Sequence, residues 1–363
     1  MAGGQERILR RRIKTVESTK KITRAMELIS ASQIVRAQGR IAGSKPYLRG
    51  IEDVTRETAA DSPNSPLLGV PESPSNVLIL AIVSDRGLCG GYNNGILRAT
   101  ERLIRSGSAE GREHRVITVG RKAEAYFRFR HQPIERSYRQ MSDRPTYEDA
   151  RAVAESIVPP FMAGEVDLVE VVSWRFVSSG SQVVETRQVL PILPAEAVSA
   201  EVKSPRRAEQ RGDAGGPDGG ASGADGPGRD GAGADAGGEA GGMDLYASAP
   251  ATRAGFFEFE PEAEDLLSVL VPRYAEAMVY GALLEASASE HTARQRAMSA
   301  ATENADELIK TLRRTMNRAR QDSITTEIME IVGGAEALRT ASHPDSGPTD
   351  RDNAGQDPEE QIA

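Results

Sequence analysis

Residues 298–319 read MSAATENADELIKTLRRTMNRA, and their apolar and small side chains recur at alternating intervals of three and four residues. This spacing is typical of the buried seam of a coiled coil. The surrounding segment, residues 273–332, contains no proline and one glycine, Gly281. As a single helix it would be on the order of 90 Å long at about 1.5 Å per residue, and such a helix needs a partner. The predicted seam consists of Met298, Ala301, Ala305, Leu308, Leu312, Met316 and Ala319.

The beginning of the chain supplies a candidate partner. No proline occurs between Gln5 and Lys45, and a less regular apolar stripe follows this segment. Residues 1–40 carry ten basic side chains against three acidic ones, a balance typical of a solvated helix face that meets an acidic partner. We expect the two terminal segments to pair antiparallel within the chain. The predicted N-terminal seam consists of Leu9, Ile13, Val16, Ile22, Met26, Ile29 and Ile34.

Between the two helices the sequence has the pattern of an α/β domain. The continuous apolar run NVLILAIVSD at 76–85 is typical of a strand buried on both faces. Further strands and helices alternate after it, and Pro159 and Pro160 shorten or kink the third helix. This alternation predicts a doubly wound, mostly parallel sheet. The predicted helices cover about 91–106, 121–129 and 147–162, and the predicted strands after the first cover 115–120, 134–138 and a hairpin within 167–193.

The predicted fold class is α/β, with a long antiparallel coiled coil of the N- and C-terminal helices and a central Rossmann-like domain. Residues 212–242 contain 14 glycines and no large apolar side chain, so they cannot bury enough surface to offset the entropy of ordering them. We predict a disordered insert there. The predicted segments are a shaft helix at 1–60, the α/β domain at 76–200, the insert at 204–249, a returning strand at 255–261, a shaft helix at 262–338 and a disordered tail at 340–363.

Composition excludes several classes of protein. The formal net charge of the 363-residue chain is −8, and its one cysteine, Cys89, allows no intramolecular disulfide. No signal peptide and no run of about 18 apolar residues is evident, so we expect a soluble intracellular protein. No aromatic residues alternate with the basic residues of the first helix, which argues against nucleic acid as the partner.

The α/β domain offers no convincing active site. The turn SDRGLCGGYNN at 84–94 follows the first strand, where open α/β sheets bind phosphates. Its glycine spacing matches neither the dinucleotide fingerprint nor the phosphate loop with its lysine, so we interpret it as a tight strand-to-helix turn. Cys89 is interpreted as a packing residue. The four histidines show no metal-ligand spacing, and we predict no catalytic residue, cofactor or metal.

Three separated motifs resemble the γ subunit of F-type ATP synthases. They are RRRIKTVESTKKITRAMELISASQIVRAQ (10–38), SDRGLCGGYN (84–93) and SEHTARQRAMSAATENADELIKTLRRTMNRARQDSITTEIMEIVGGAEAL (289–338). The resemblance extends over residues 1–200 and 255–338. It implies a non-catalytic rotor shaft that turns inside a hexamer of three α and three β subunits, coupling ion flow through the membrane ring to ATP synthesis or hydrolysis.

The resemblance also implies partners and contact residues. The partners would be the α and β subunits, the ε subunit and the membrane c ring, at the cytoplasmic face of the cell membrane, with membrane association through the complex only and no disulfide-linked partner. Asp322 departs from the family, which usually has a small apolar residue there. The implied hexamer contacts are Arg24, Met26, Arg320, Gln321, Ser323 and Thr325. The implied ring contacts, at the foot of the shaft, are Lys45, Tyr47, Phe257, Glu258 and Glu260.

The residues alone leave two other interpretations of the function open. A coiled-coil scaffold would self-associate without a hexameric partner, but the two stripes differ in regularity and charge and so favour pairing within one chain. A nucleotide-using enzyme with a helical arm would bind nucleotide by itself, but the lysine of a phosphate loop is missing from the turn at 84–94.

Overall fold

A computed structural model of the chain describes residues 2–61, 68, 74–192 and 262–341. The helices are α1 (Ala2–Asp61), α2 (Tyr92–Ala109), α3 (Arg121–Phe129), α4 (Tyr147–Ala154), α5 (Val158–Met162) and α6 (Ala263–Ala341). The strands are β1 (Asn76–Ile82), β2 (Glu113–Val119), β3 (Arg136–Tyr138), β4 (Leu168–Phe176) and β5 (Gln182–Leu190).

The chain divides into two compact units. We call Thr23–Ala301 the central unit, and Met1–Ile22 with Thr302–Ala363 the terminal unit. The central unit contains the whole sheet. The long helices α1 and α6 each contribute residues to both units.

The five strands form one sheet in the order β3-β2-β1-β4-β5. β1 pairs parallel with β2 and β4, β2 pairs parallel with β3, and β5 pairs antiparallel with β4. The prediction of a doubly wound, mostly parallel sheet is confirmed, and the hairpin at 167–193 supplies the antiparallel edge. The central strand β1 is buried along nearly its whole length, as its continuous apolar run predicts.

Helices cover both faces of the sheet. Alternate residues of β1 point to opposite faces: Val77, Ile79 and Ala81 pack beneath α2 and α3, whereas Leu78, Leu80 and Ile82 share a core with α4, α5 and the first part of α6. The segment predicted as one helix at 147–162 is two helices. Pro159 lies in the first turn of the second, α5, where its missing N–H costs no helix bond.

Within the central unit, α1 and α6 pack together through small and branched side chains. Ala37, Ile41 and Leu48 of α1 form one buried cluster with Ala277, Leu284 and Ala288 of α6 and Phe176 of β4. Pro46 lies inside α1. Alanines at this contact allow the two backbones to approach closely.

Within the terminal unit, the two helices form an antiparallel pair. Ile13 packs against Ile309 and Leu312, with Leu9, Val16 and Met316 around them. Lys20 forms an ion pair with Asp306, and Glu17 Oε1 lies 2.7 Å from Arg313 Nη2. Because these four charged side chains are more than a third exposed, each pair contributes at most about 1 kcal/mol. The apolar contacts therefore carry most of the stability of this unit.

The predicted seams were wrong in register at three positions. Leu308 is 42% exposed and Ile309 is 6% exposed, so Ile309 occupies the seam of α6. In α1, Ile22 and Ile29 are each 61% exposed, whereas Thr23 and Ser30 are buried. Steps of three and four residues from Ile13 reach positions 16, 20, 23, 27 and 30, and so lead to these two polar residues. Geometric spacing thus decides which face is buried, even where the neighbouring side chain is more apolar.

A polar segment of α6 is buried in the central unit. Glu285, Glu290, His291 and Arg294 are between 2% and 6% exposed. Arg294 donates to Glu290 Oε1 at 2.5 Å, and His291 Nε2 lies 3.3 Å from the backbone carbonyl oxygen of Asp143. Burial lowers the pKa of His291 and raises the pKa of Glu290. The interior of the central unit therefore contains a network of ionisable side chains.

Glu124 anchors α3 to the loop after β3. It accepts bonds from Arg139 Nη2 at 2.6 Å, Arg128 Nη2 at 2.8 Å and Ser137 Oγ at 3.0 Å. The hydrogen bond from Arg139 is the main cause that lowers the pKa of Glu124 to about 2. Since only 6% of the side chain is exposed, the carboxylate is held charged by its partners.

Replacing Glu124 by glutamine is therefore expected to cost about 1–2 kcal/mol of unfolding free energy at pH 7, because Gln lacks the charge that its cationic partners need. A lowered folded-state pKa contributes stability above the unfolded value, 4.5, and loses it as the pH falls toward about 2. Urea unfolding of wild type and Glu124→Gln should differ most at neutral pH and converge in acid. A difference independent of pH would contradict the assigned pKa.

Several predicted segments lie outside the described residues. The insert at 204–249 and the strand at 255–261 lie there entirely, and the tail at 340–363 lies there beyond Ala341, where α6 ends. An 18-residue window of α6 is long and apolar enough for a membrane span, but 61% of that window is buried inside the protein. That burial is expected of the core helix of a water-soluble domain.

Candidate functional surfaces

The C-terminal part of α6 carries four of the implied hexamer contacts. Arg320, Gln321 and Thr325 are exposed and Ser323 is half-buried. The Thr325 hydroxyl donates to the carbonyl oxygen of Gln321 at 3.0 Å, and Ser323 Oγ donates to Glu327 at 3.3 Å. The two hydroxyls are thus engaged within their own helix, which leaves the Arg320 and Gln321 side chains as the polar groups available to a partner.

The same end of α6 exposes large apolar side chains, which were not among the predicted contacts. Solitary exposed apolar residues are common, but a contiguous group on one helix end indicates a protein–protein contact. Their recurrence after Met316 was the available signal. The group consists of Ile324 (46% exposed), Ile328 (55%), Met329 (69%), Ile331 (72%), Val332 (59%) and Leu338 (73%).

In the central unit, Arg24 lies on the exposed side of α1 and Met26 is half-buried. Arg24 Nη1 lies 2.9 Å from both carboxylate oxygens of Glu27. This pair holds the guanidinium along the helix. Two apolar side chains of the same helix are also exposed, Leu28 to 58% and Val35 to 69%.

The implied foot is only partly described. Lys45 is half-buried and Tyr47 is 49% exposed. The Tyr47 hydroxyl lies 3.3 Å from that of Tyr147, which donates to Glu276 Oε2 at 2.8 Å. Burial is the main cause that raises the pKa of Tyr147. Phe257, Glu258 and Glu260 lie outside the described residues.

The turn at 84–94 is closed by its own contacts. Asn93 Oδ1 accepts from the backbone N–H of Ser84 at 3.0 Å, and Asn93 Nδ2 donates to Cys89 Sγ at 3.2 Å. Cys89 is 1% exposed and packs with Tyr92 in the core. These contacts agree with a tight strand-to-helix turn. Among the described residues, no group of three or more His, Cys, Asp and Glu side chains is placed to hold a metal ion.

The sequence matches the protein family described as ATP synthase over residues 5–338. It is 40% identical over 344 residues to the ATP synthase gamma chain of Parafrankia sp. (strain EAN1pec), with 93% of this chain and 99% of the relative covered. It is 41% identical to the gamma chain of Frankia casuarinae with the same coverage. It is 37% identical to that of Streptomyces coelicolor, with 94% of this chain and 98% of the relative covered.

Solved structures support the same fold. The chain matches the rotor of the Euglena gracilis mitochondrial ATP synthase with a TM-score of 0.54 and 17% identity, over 89% of this chain and 99% of that one. A second Euglena structure, of the OSCP/F1/c-ring assembly, matches with a TM-score of 0.55 over 96% of this chain and 99% of that one. Sequence identity this low supports the fold, and the curated relatives support the family. The chain therefore belongs to the ATP synthase family and, within it, to the gamma chains.

Proposed function

We propose that this chain is the non-catalytic rotor shaft that couples ion flow through a membrane ring to ATP synthesis or hydrolysis in a hexamer of three α and three β subunits. The observation that carries the proposal is the antiparallel pairing of Ile13 with Ile309 and Leu312 in a chain that belongs to the gamma family. A shaft has to transmit torque through one stiff element with differing faces, so that each catalytic site experiences a different face in turn.

The proposed hexamer contacts combine polar and apolar side chains. Arg320 and Gln321 present hydrogen-bond donors to loops of the hexamer, and the exposed apolar group at 324–338 fills its interior. Arg24 and Met26 of α1 contact the hexamer, and so do Ser323 and Thr325 of α6. Lys45 and Tyr47, together with Phe257, Glu258 and Glu260, contact the c ring, and the ε subunit binds the central unit. The complex lies at the cytoplasmic face of the cell membrane.

The test is to tag the chain after Ala363, extract host membranes in mild detergent and identify what co-purifies. We expect one copy with three α subunits, three β subunits, ε and a ring, together with ATPase activity. A photo-crosslinking amino acid at Arg320 should capture α or β, whereas the same probe at Arg151, exposed on α4, should not. Recovery of the chain alone from the cytosol, without ATPase activity, would remove the function and leave the fold.

A further inference from the structure

Helix α2 has a basic outer face. Arg98, Arg102 and Arg105 recur at intervals of four and three residues, so they lie on one side of the helix, and all three are exposed. Among the described residues, none of the three forms an ion pair. Glu101, the acidic residue within this stripe, is already bound to Arg130 Nε at 2.8 Å. We call these three arginines the α2 stripe.

The opposite charge lies in the same chain. Residues 212–242 contain six carboxylates, Asp213, Asp218, Asp225, Asp230, Asp235 and Glu239, against one basic residue, Arg229. No large apolar side chain occurs among them. Electrostatic attraction is therefore the main interaction that this segment can offer to a protein surface.

The chain enters the insert at the edge of the sheet where the parallel strands begin, and α2 ends at this same edge. Leu190, the last residue of β5, pairs with Val169 near the start of β4. Glu113, which follows α2, pairs with Asn76 at the start of β1. Because β1 and β4 run parallel, both points lie at the same edge of the sheet. Arg105 is in the final part of α2, close to this edge.

The connection is long enough to reach the stripe. Asp213 follows Ile192, the last described residue before the insert, by 21 residues. A chain of that length spans at most about 70 Å, whereas α2, with 18 residues, is about 27 Å long. The tether also raises the local concentration of the acidic segment, on the order of millimolar for short linkers. A separate acidic partner would lack this advantage.

We propose that the acidic segment at 212–242 docks on the α2 stripe of its own chain. The contact is electrostatic, so it holds at low ionic strength and is released by salt, because the Debye length falls from about 30 Å at 0.01 M to about 3 Å at 1 M. The proposal does not depend on the rotor function, since both parts belong to one chain.

The experiment measures a distance in the full-length chain. Spin labels are placed at Ser222→Cys in the acidic segment and at Ser106→Cys, exposed near the end of α2. The native Cys89 is 1% exposed and therefore protected from labelling. At low salt we expect a short-distance population that is lost at 1 M salt and lost in Arg98→Gln/Arg102→Gln/Arg105→Gln.

A matched control separates docking from a general effect of charge. Arg7, Arg11 and Lys14 on α1 are exposed and have the same spacing of four and three residues, so Arg7→Gln/Arg11→Gln/Lys14→Gln removes the same charge elsewhere. This control should keep the short-distance population. Loss of the population in the control as well would overturn the proposal.

A second variant guards against misfolding of the first. Replacing the six carboxylates of 212–242 by their amides changes no residue of the described fold. This variant should also lose the short-distance population. A wild-type distance distribution that is broad, insensitive to salt and identical to that of the amide variant would overturn the proposal. The proposal would also be overturned if the α2 stripe of the assembled complex remained protected in the amide variant. The occupant would then be an acidic surface of another subunit.

Discussion

Ile309→Asp is expected to open the helix pair of the terminal unit, whereas Leu308→Asp is expected to leave it closed. Ile309 is 6% exposed and packs against Ile13, while Leu308 is 42% exposed. A carboxylate at position 309 loses the apolar contacts and has no cationic partner among the residues of that cluster, at a cost of about 3–5 kcal/mol. At position 308 the same carboxylate points into water, and the cost should stay within about 0.5 kcal/mol.

Hydrogen exchange of the full-length chain, followed by mass spectrometry, measures the opening directly. Peptides from 5–22 and 302–320 should lose protection in Ile309→Asp and keep it in Leu308→Asp, while peptides from the sheet keep it in both. The two variants have adjacent positions and the same new side chain, so helix propensity cannot separate them. Equal loss of protection in both would show that the seam does not run through position 309.

Gly120→Ala is expected to destabilise the central unit by about 3 kcal/mol or more. Gly120 follows β2 with a φ of +97°, and an added Cβ would lie 2.2 Å from the carbonyl oxygen of Val83. Gly120 N–H donates to the carbonyl oxygen of Tyr138 at 2.8 Å, and Val83 N–H donates to that of Val119 at 2.9 Å. The clash therefore involves backbone at the junction of three strands, where relief would break strand pairing.

Urea unfolding of the isolated full-length chain, followed by circular dichroism, tests this prediction. Gly91→Ala is the control, because Gly91 has a φ of −79° and an added Cβ would meet no atom within 4 Å. Its unfolding free energy should change by less than about 1 kcal/mol. A Gly120→Ala chain as stable as the control would mean that the strand ends can move apart.

The sheet could be predicted from the sequence because its signals are local. The run at 76–85 is apolar without interruption, and Ser179 and Gly180 mark the hairpin that forms the antiparallel edge. The candidate contacts at Arg24 and Arg320 came from resemblance to a family, and the physical pattern alone would not have selected them. The exposed apolar group at 324–338 was missed because an apolar residue on one long helix is expected to pack against the other long helix. A surface that contacts another protein is also apolar, so composition alone does not distinguish the two.

The sequence by itself determined the two long helices, the α/β order between them and the family. Proline spacing, apolar runs and three separated motifs are properties of the chain that need no partner to be recognised. The tertiary structure alone decided which faces of those helices are buried. Ser30 is 2% exposed beside Ile29 at 61%, and Glu290 is 2% exposed although its side chain is acidic. The physical reason is that side-chain burial depends on what packs opposite each turn of the helix, and that information is held by residues distant in sequence.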